Sequence, residues 1–236
     1  MFSESAELYD AIYQTFKDYA TEADRIAGLI RAHHPTAQAV LDVGCGTGEH
    51  VKHLRALGFE ADGLDLDPRL LAVAHRKVPT AQFFAADMSD FDLFKRYDVV
   101  ACLFSSIGYL QAISRVTSAF RAFRRHLAPH GLVVVEPWFA PGVLRTGKGV
   151  TRRAAAAGVR VKRSSHTSIS GNVSTLTFEY EIDDGQGVRH AKEVHELGLF
   201  TPREMCDAFE AVGLIATYDP VGVFDNRGLY LARVVA

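Results

Sequence analysis

Residues 41–48 read Leu-Asp-Val-Gly-Cys-Gly-Thr-Gly, an apolar run that stops on three glycines at alternate positions. A side-chain-free turn lets the backbone bend sharply and approach a ligand closely. The stretch behind it, His50–Leu57, repeats its apolar residues at helical period, so the turn opens a helix whose first N–H groups are free to meet a ligand. Strand, glycine turn and helix in that order are the start of a βαβ unit, which commits the chain to a parallel sheet. The spacing is not the dinucleotide fingerprint G-x-G-x-x-G, because Glu49 stands where its third glycine would fall. By itself the turn does not separate a cofactor loop from an ordinary strand-to-helix connection.

The alternation continues through the first half. Ala39–Val43, Glu60–Leu64, Ala81–Ala85, Tyr97–Leu103 and Leu132–Glu136 read as buried strands; His50–Leu57, Arg69–Lys77 and Ser114–Leu127 read as helices between them. Asp67-Pro68 supplies a cap and a favourable first helical residue. Past Glu136 the helical period stops. Val159–Ser168, Val173–Ile182 and Val188–Leu199 alternate as strands around turns at Ser170-Gly171-Asn172 and Asp183-Asp184-Gly185, which predicts antiparallel strands inserted beside the main sheet. Thr201-Pro202-Arg203-Glu204 is a capping box, and Ile215–Val221 and Gly228–Val234 read as two final strands. Tyr9–Ala32 reads as one helical stretch. The expected fold is α/β: a doubly wound, mostly parallel seven-stranded sheet with an inserted antiparallel sheet. One domain over 1–236 is expected, with a helical cap at 1–35 and the insertion at 150–200.

The 236 residues are 48% hydrophobic and 23% charged, the balance of a globule able to enclose a small-molecule pocket. A net charge of -2 gives no overall field toward nucleic acid or an anionic membrane. Neither a leader-like segment nor a membrane-length apolar run is visible. Cys45, Cys102 and Cys206 are odd in number and lack metal-ligand spacing, which fits a reducing, cytoplasmic setting.

Asp65 ends the second strand about twenty residues past the glycines, where a carboxylate can accept both hydroxyls of a ribose. Asp87 ends the third strand, followed by Met88; there a carboxylate can accept from an adenine amino group while the thioether covers the ring. With these residues the chain resembles the class I S-adenosylmethionine (SAM)-dependent methyltransferases: Asp42–Gly48, Leu64-Asp65-Leu66-Asp67 and Ala86-Asp87-Met88-Ser89-Asp90-Phe91 follow that pattern. It is similar in particular to the TDP-aminosugar N-methyltransferases of antibiotic deoxysugar pathways, of the desosamine and mycaminose type. That likeness is carried by Tyr9-Asp10, Lys17-Asp18-Tyr19, Phe104–Leu110, Val133–Trp138, Ser165-His166 and Arg227-Gly228-Leu229. The chain departs from it after Tyr13, where it is a residue shorter, and at Phe139, where a second tryptophan often stands.

The resemblance implies SAM as cofactor and a TDP-linked amino-deoxysugar as substrate. It implies that Gly44, Gly46, Asp65, Asp87 and Met88 hold the nucleoside, and that Tyr19 reaches the methionine carboxylate. Leu103, with Phe104, lies beside the sulfonium. Tyr13 and Tyr109 are the candidates for orienting the acceptor amine, since a buried tyrosine offers an apolar wall and one polar tip. Trp138 stands at the same rim. Arg227 is expected at the pyrophosphate, with Arg163, Ser165 and His166 as weaker candidates because basic residues alternating on a strand usually face water. Each of these residues also has a plain reading as core, cap or surface.

No metal set is visible among the histidines, His50 and His53 included, and Ser105-Ser106 lacks a nucleophile-elbow pattern. No carboxylate–histidine pair is evident near the acceptor, so alignment of a neutral amine is the expected device. The expected reaction is N-methylation, to the dimethylamine. O-methylation of a sugar or other small molecule and non-catalytic SAM binding are the rivals. Pairing of two chains through the inserted strands is a further expectation, because exposed strand edges usually need covering.

Overall fold

The computed structural model describes residues 10, 12–13, 17–156, 158–223 and 227–234. Tyr9 and Asn226, and with them part of the expected cap over 1–35, lie outside the described residues. Asp10, Ile12 and Tyr13 are helical, but Lys17 and Asp18 are not. The single helix expected over Tyr9–Ala32 is therefore corrected: α1 spans Tyr19–His33. The Asp18 carboxylate accepts from the Thr21 N–H (3.0 Å) and hydroxyl (2.7 Å), a cap that starts a new helix instead of continuing an old one.

From there the chain runs β1 (Ala39–Val43), α2 (Glu49–Ala56), β2 (Glu60–Asp65), α3 (Pro68–Lys77), β3 (Phe83–Ala85) and β4 (Tyr97–Cys102). A short 3-10 turn at Ser106–Leu110 leads into α4 (Ile113–Arg125) and β5 (Leu127–Val135). β5 starts five residues before its expected position, because Tyr97 pairs with Leu127 and Val99 already pairs with Leu132, leaving Ala128–Gly131 as a bulge. α5 (Pro202–Glu210) carries the expected capping box, and β11 (Leu214–Asp219) and β12 (Leu229–Val234) close the chain.

These strands form a seven-stranded sheet in the order β11-β12-β5-β4-β1-β2-β3. β3, β2, β1, β4 and β5 are mutually parallel; β12 and β11 run antiparallel. The order reverses between β1 and β4, the point at which an open α/β sheet leaves a crevice at its carboxyl edge. α4 and α5 cover one face through Phe120 stacked on Phe209 (3.7 Å, 5°), with Phe123 beside them. Ile26, Ile30, Leu54 and Leu71 of α1, α2 and α3 fill the other.

The remaining strands, β6 (Gly147–Lys148), β7 (Arg152–Ala156), β8 (Val159–Ser170), β9 (Val173–Asp183) and β10 (Val188–Gly198), make a separate antiparallel sheet. β6 and β7 are additions to the expected three: both pair with the same edge of β8. One face of this sheet packs Val161, Phe178, Tyr180 and Ile182 against Ile12, Tyr13 and Tyr19 of the N-terminal segment. Among the described residues no helix is long and apolar enough to cross a membrane.

Candidate active site

A cavity of about 690 Å³ opens at the carboxyl ends of β1, β2 and β4 and extends under the second sheet. Its wall includes Tyr13, Tyr19, Gly44, Gly46, Asp65, Asp87, Met88, Leu103, Tyr109, Trp138, Arg163, Ser165 and Arg227, so the residues singled out from sequence meet in one place. His166 is exposed and is not part of it.

The glycine turn is built around Leu64 and Asp65. The N–H groups of Gly44 and Cys45 both donate to the Leu64 carbonyl (2.7 and 3.0 Å), and the Gly46 N–H donates to Asp65 Oδ2 (2.8 Å). Gly44 (φ 77°) has no room for a side chain: a Cβ would lie 2.6 Å from the Ser106 Cβ. Gly46 (φ 55°) differs, since a Cβ there would meet nothing within 4 Å. Asp65 Oδ1 accepts from the Asp67 N–H (2.9 Å). Burial pushes its carboxyl up, against the backbone N–H groups of Asp67 and Gly46, which pull it down.

Asp87 stands at the rim. Its burial works to raise its pKa, but the N–H and hydroxyl of Ser89 (2.8 and 2.7 Å) and Arg115 (2.9 Å) hold it below the usual range. At the floor lies Asp42, which sequence reasoning left out of the site. It is 1% exposed, and its Oδ2 has no hydrogen-bond partner among the described residues. Burial, then the Asp65 charge, pushes its carboxyl up to about 7 while Lys17 opposes.

Phe104 and Ser105, after β4, both take left-handed backbone angles (φ 50° and 65°), a strained arrangement that needs outside support. Glu136 Oε2 accepts from the Phe104 N–H (2.7 Å). The Ser105 hydroxyl donates to the Pro137 carbonyl (2.8 Å), and Ser106 Oγ donates to the Gly44 carbonyl (3.2 Å). Arg227 closes this cluster, with Nη1 3.9 Å from Glu136 Oε1. Lys17 Nζ lies 2.5 Å from Glu22 Oε2 and 3.6 Å from the centre of the Phe104 ring, which places its cation against the same turn. The Glu22 carboxylate is shared with His50 (3.0 Å), whose imidazole burial pushes down to about 4. Tyr19 meets His50 edge-on at 5.2 Å.

The far wall comes from the second sheet. Along β8 the exposed Arg160 and half-exposed Lys162 pair with Asp183 (2.6 Å) and Glu181 (2.7 Å) on the outer side, whereas Arg163 between them is 6% exposed. The expectation that basic residues on this strand face water therefore fails for Arg163: the strand's two-residue period turns it inward with Val161 and Ser165. Its guanidinium lies 4.4 Å from the Phe178 ring and 5.1 Å from that of Tyr13. Tyr13 meets Phe104 edge-on at 5.6 Å. Trp138 gives its indole N–H to Ser174 Oγ (2.8 Å), leaving the ring as wall.

The expectation that no carboxylate–histidine pair stands near the acceptor is also corrected. The Tyr109 hydroxyl is 3.0 Å from His195 Nδ1, His195 Nε2 is 3.7 Å from Glu193 Oε2, and the Tyr180 hydroxyl donates to that oxygen at 2.8 Å. Glu193 and His195 sit at alternate positions of β10. That spacing puts them on one face of a strand, the signal in the sequence that could have revealed them.

Residues 40–131 match the methyltransferase domain family. The chain is 39% identical over 229 residues to the dTDP-3-amino-3,6-dideoxy-alpha-D-glucopyranose N,N-dimethyltransferase of Streptomyces fradiae, covering 96% of this chain and 89% of that one. Among solved structures it superposes on DesVI of Streptomyces venezuelae with a TM-score of 0.92 at 37% identity, over 98% of both chains. It superposes on SAM-bound CalS10, an amino pentose methyltransferase from Micromonospora echinaspora, with a TM-score of 0.85 at 35% identity over 95% of both. With a relative of that identity spanning nearly its whole length, the chain belongs to the S-adenosylmethionine-dependent methyltransferase family of the dTDP-aminosugar N,N-dimethyltransferases.

Proposed function

We propose that this protein transfers methyl groups from SAM to the amino group of a dTDP-linked amino-deoxysugar, carrying it to the dimethylamine. The observation that carries this reading is the division of one cavity into two unlike halves. Glycines and carboxylates at the strand ends line one half, and aromatic rings with inward-turned Arg163 line the other. The first half fits SAM chemically: Gly46 leaves its side-chain space empty, Asp65 is a half-buried acceptor for hydroxyls, and Asp42 lines the cavity with a carboxylate oxygen that has no hydrogen-bond partner among the described residues. When bound, SAM supplies an already activated methyl group on a sulfonium.

The remaining work falls to the chain. Gly44, Gly46, Asp65, Asp87, Met88, Tyr19 and Leu103 bind and orient the nucleoside and methionine parts. Tyr13, Tyr109 and Trp138 wall the sugar, and Arg163, Ser165 and Arg227 face the nucleotide's charge. Holding the amine in line with the methyl group accounts for much of such an acceleration. The whole chain serves as one catalytic unit in the cytoplasm, with residues 150–200 as the part that meets the sugar. Two copies pair along β10, where Val188 and Val194 are exposed; sedimentation at two concentrations tests that association.

Assay of SAM-dependent methylation across 3-amino and 4-amino dTDP-sugars, with matched 3-hydroxy and 4-hydroxy sugars, tests the function. Methylated amines are expected, and products only from the hydroxy sugars overturn the reading. The O-methylation rival earns its place in the assay because the Tyr109–His195 contact is also what an alcohol acceptor would need.

A further inference from the structure

Tyr109 and His195 form one hydrogen-bonded pair and Tyr180 and Glu193 another, and the two pairs meet where His195 Nε2 stands 3.7 Å from Glu193 Oε2. His195 is 2% and Glu193 6% exposed, and Phe178 packs against the imidazole at 5.2 Å. Burying a carboxylate and an imidazole side by side is costly unless they serve each other. Glu193 on the Nε2 side favours a proton on that nitrogen, which leaves Nδ1 as an acceptor for the Tyr109 hydroxyl. The other ionisable groups around the pair are Tyr180 on β9, Arg163 on β8, Tyr13 on the N-terminal segment and Asp65 at the end of β2.

We propose that His195, backed by Glu193, takes the acceptor amine's proton through the Tyr109 hydroxyl. The inference rests on the aminosugar reading and deepens it. An aliphatic amine beside sugar hydroxyls arrives largely as an ammonium at neutral pH, since comparable α-amino groups titrate near 8, about where half would still be protonated. Its proton passes to the Tyr109 oxygen as the tyrosine's own proton moves to His195 Nδ1, so no free phenolate forms. Burial holds the Tyr109 hydroxyl well above its ordinary range, which makes a coupled transfer the only easy one. The nitrogen lone pair then forms the N–C bond while the methyl–sulfur bond breaks with its pair left on sulfur. The imidazolium faces Glu193 until it returns its proton to water on product exchange. His195 acts through Tyr109 and is therefore a positioning residue for it.

The test uses the full chain with SAM and dTDP-3-amino-3,6-dideoxyglucose, comparing wild type, His195→Gln, Tyr109→Phe and the double variant across roughly pH 6 to 9. His195→Gln is expected to lower kcat about tenfold near pH 7 and about a hundredfold near pH 6, following the small share of an amine titrating near 8 that arrives unprotonated there. KM for the sugar and calorimetric affinity for SAM should stay within about threefold of wild type, since binding contacts are untouched. The defect should shrink as pH rises and the amine arrives free. The double variant should be no slower than the slower single one, because one path is cut only once. A loss under about threefold at pH 7, a defect independent of pH, or losses that multiply overturns the relay. Should His195→Gln fail to fold, Tyr109→Phe leaves the imidazole and carboxylate in place and decides by the same pH criterion. If the wild type binds SAM but methylates no aminosugar, the functional reading fails and the relay with it; if it turns over and the variants keep pace, only the relay fails.

Discussion

Arg227 Nη1 donates to the Ser105 hydroxyl across 3.0 Å, joining the entrance of the last strand to a residue held in left-handed conformation beyond β4. The same guanidinium stands beside the buried Glu136 and near the rings of Phe104 and Trp138. This cavity-lining arginine is thereby a brace for the turn after β4.

Arg227→Ala is thus expected to act twice. It should raise KM for the nucleotide sugar while leaving SAM affinity within about threefold, and lower stability by about 1–3 kcal/mol as Glu136 loses its cation. Denaturant titration with two-ligand calorimetry checks both parts. Equal losses of SAM and sugar affinity would leave only the brace.

Asp65→Ala is expected to weaken SAM binding by about 1.5–3 kcal/mol, the scale of charge-assisted hydrogen bonds. The same change frees the Gly46 N–H, so the loop loses one of its three ties to β2 as well. Calorimetry on a folded variant settles it, and unchanged affinity removes Asp65 from the nucleoside site. Added NAD should not raise the melting temperature, whereas SAM should.

Asp42 makes stability depend on pH in a direction opposite to most carboxylates. Its folded pKa of about 7 lies above the ordinary 3.8, so the folded chain binds the extra proton between those values. Stability from this group is full below the lower value and is lost as pH rises through the upper one. Asp42→Asn removes the dependence. Relative to the variant, wild type should lose on the order of 2–4 kcal/mol between pH 4 and pH 7, as read by urea titrations at each pH. A difference between the two proteins that stays flat in pH would rule out a raised Asp42.

Tyr13→Phe distinguishes a wall from a base. Its hydroxyl is pushed up by burial, with Arg163 opposing, so it stays protonated at neutral pH and offers no phenolate to act as a base. Loss of one orienting hydrogen bond should cost about 1–2 kcal/mol, or roughly five- to thirtyfold in single-turnover rate. A fall of about a hundredfold or more would make Tyr13 a proton-transfer group in its own right.

The cofactor half was legible because its devices are local. A glycine turn, an acid at a strand end and a cap each announce themselves within a few residues of sequence, and Gly44, Gly46, Asp65 and Asp87, which carry those signals, do line the cavity. Asp42 was overlooked because a carboxylate inside an apolar strand reads as part of the strand. The acceptor half depends on which face of a strand points inward, and composition does not say. Arg163 looked like a surface charge among Arg160 and Lys162, and His195 looked like one of ten scattered histidines. Alternate spacing puts Glu193 and His195 on one face of their own strand, but it takes the register of β8, β9 and β10, which sets Leu176 opposite His195 and Phe178 opposite Glu193, to show that this face is shared with Arg163. The break at Lys17-Asp18 was hidden for a related reason: a capping aspartate inside a helical period looks like one more polar position.

The second sheet also separates two kinds of inheritance. Its inner face is written at every other residue of long, firmly registered strands, while the intervening positions include the exposed Glu179, Glu181, Lys192 and Val194. A substitution at Phe178 or Leu197 changes the cavity wall at a distance in the fold from the glycine turn, which belongs to the other sheet. A lineage built this way can exchange one sugar for another by small steps on a fixed frame, and keep its methyl donor throughout.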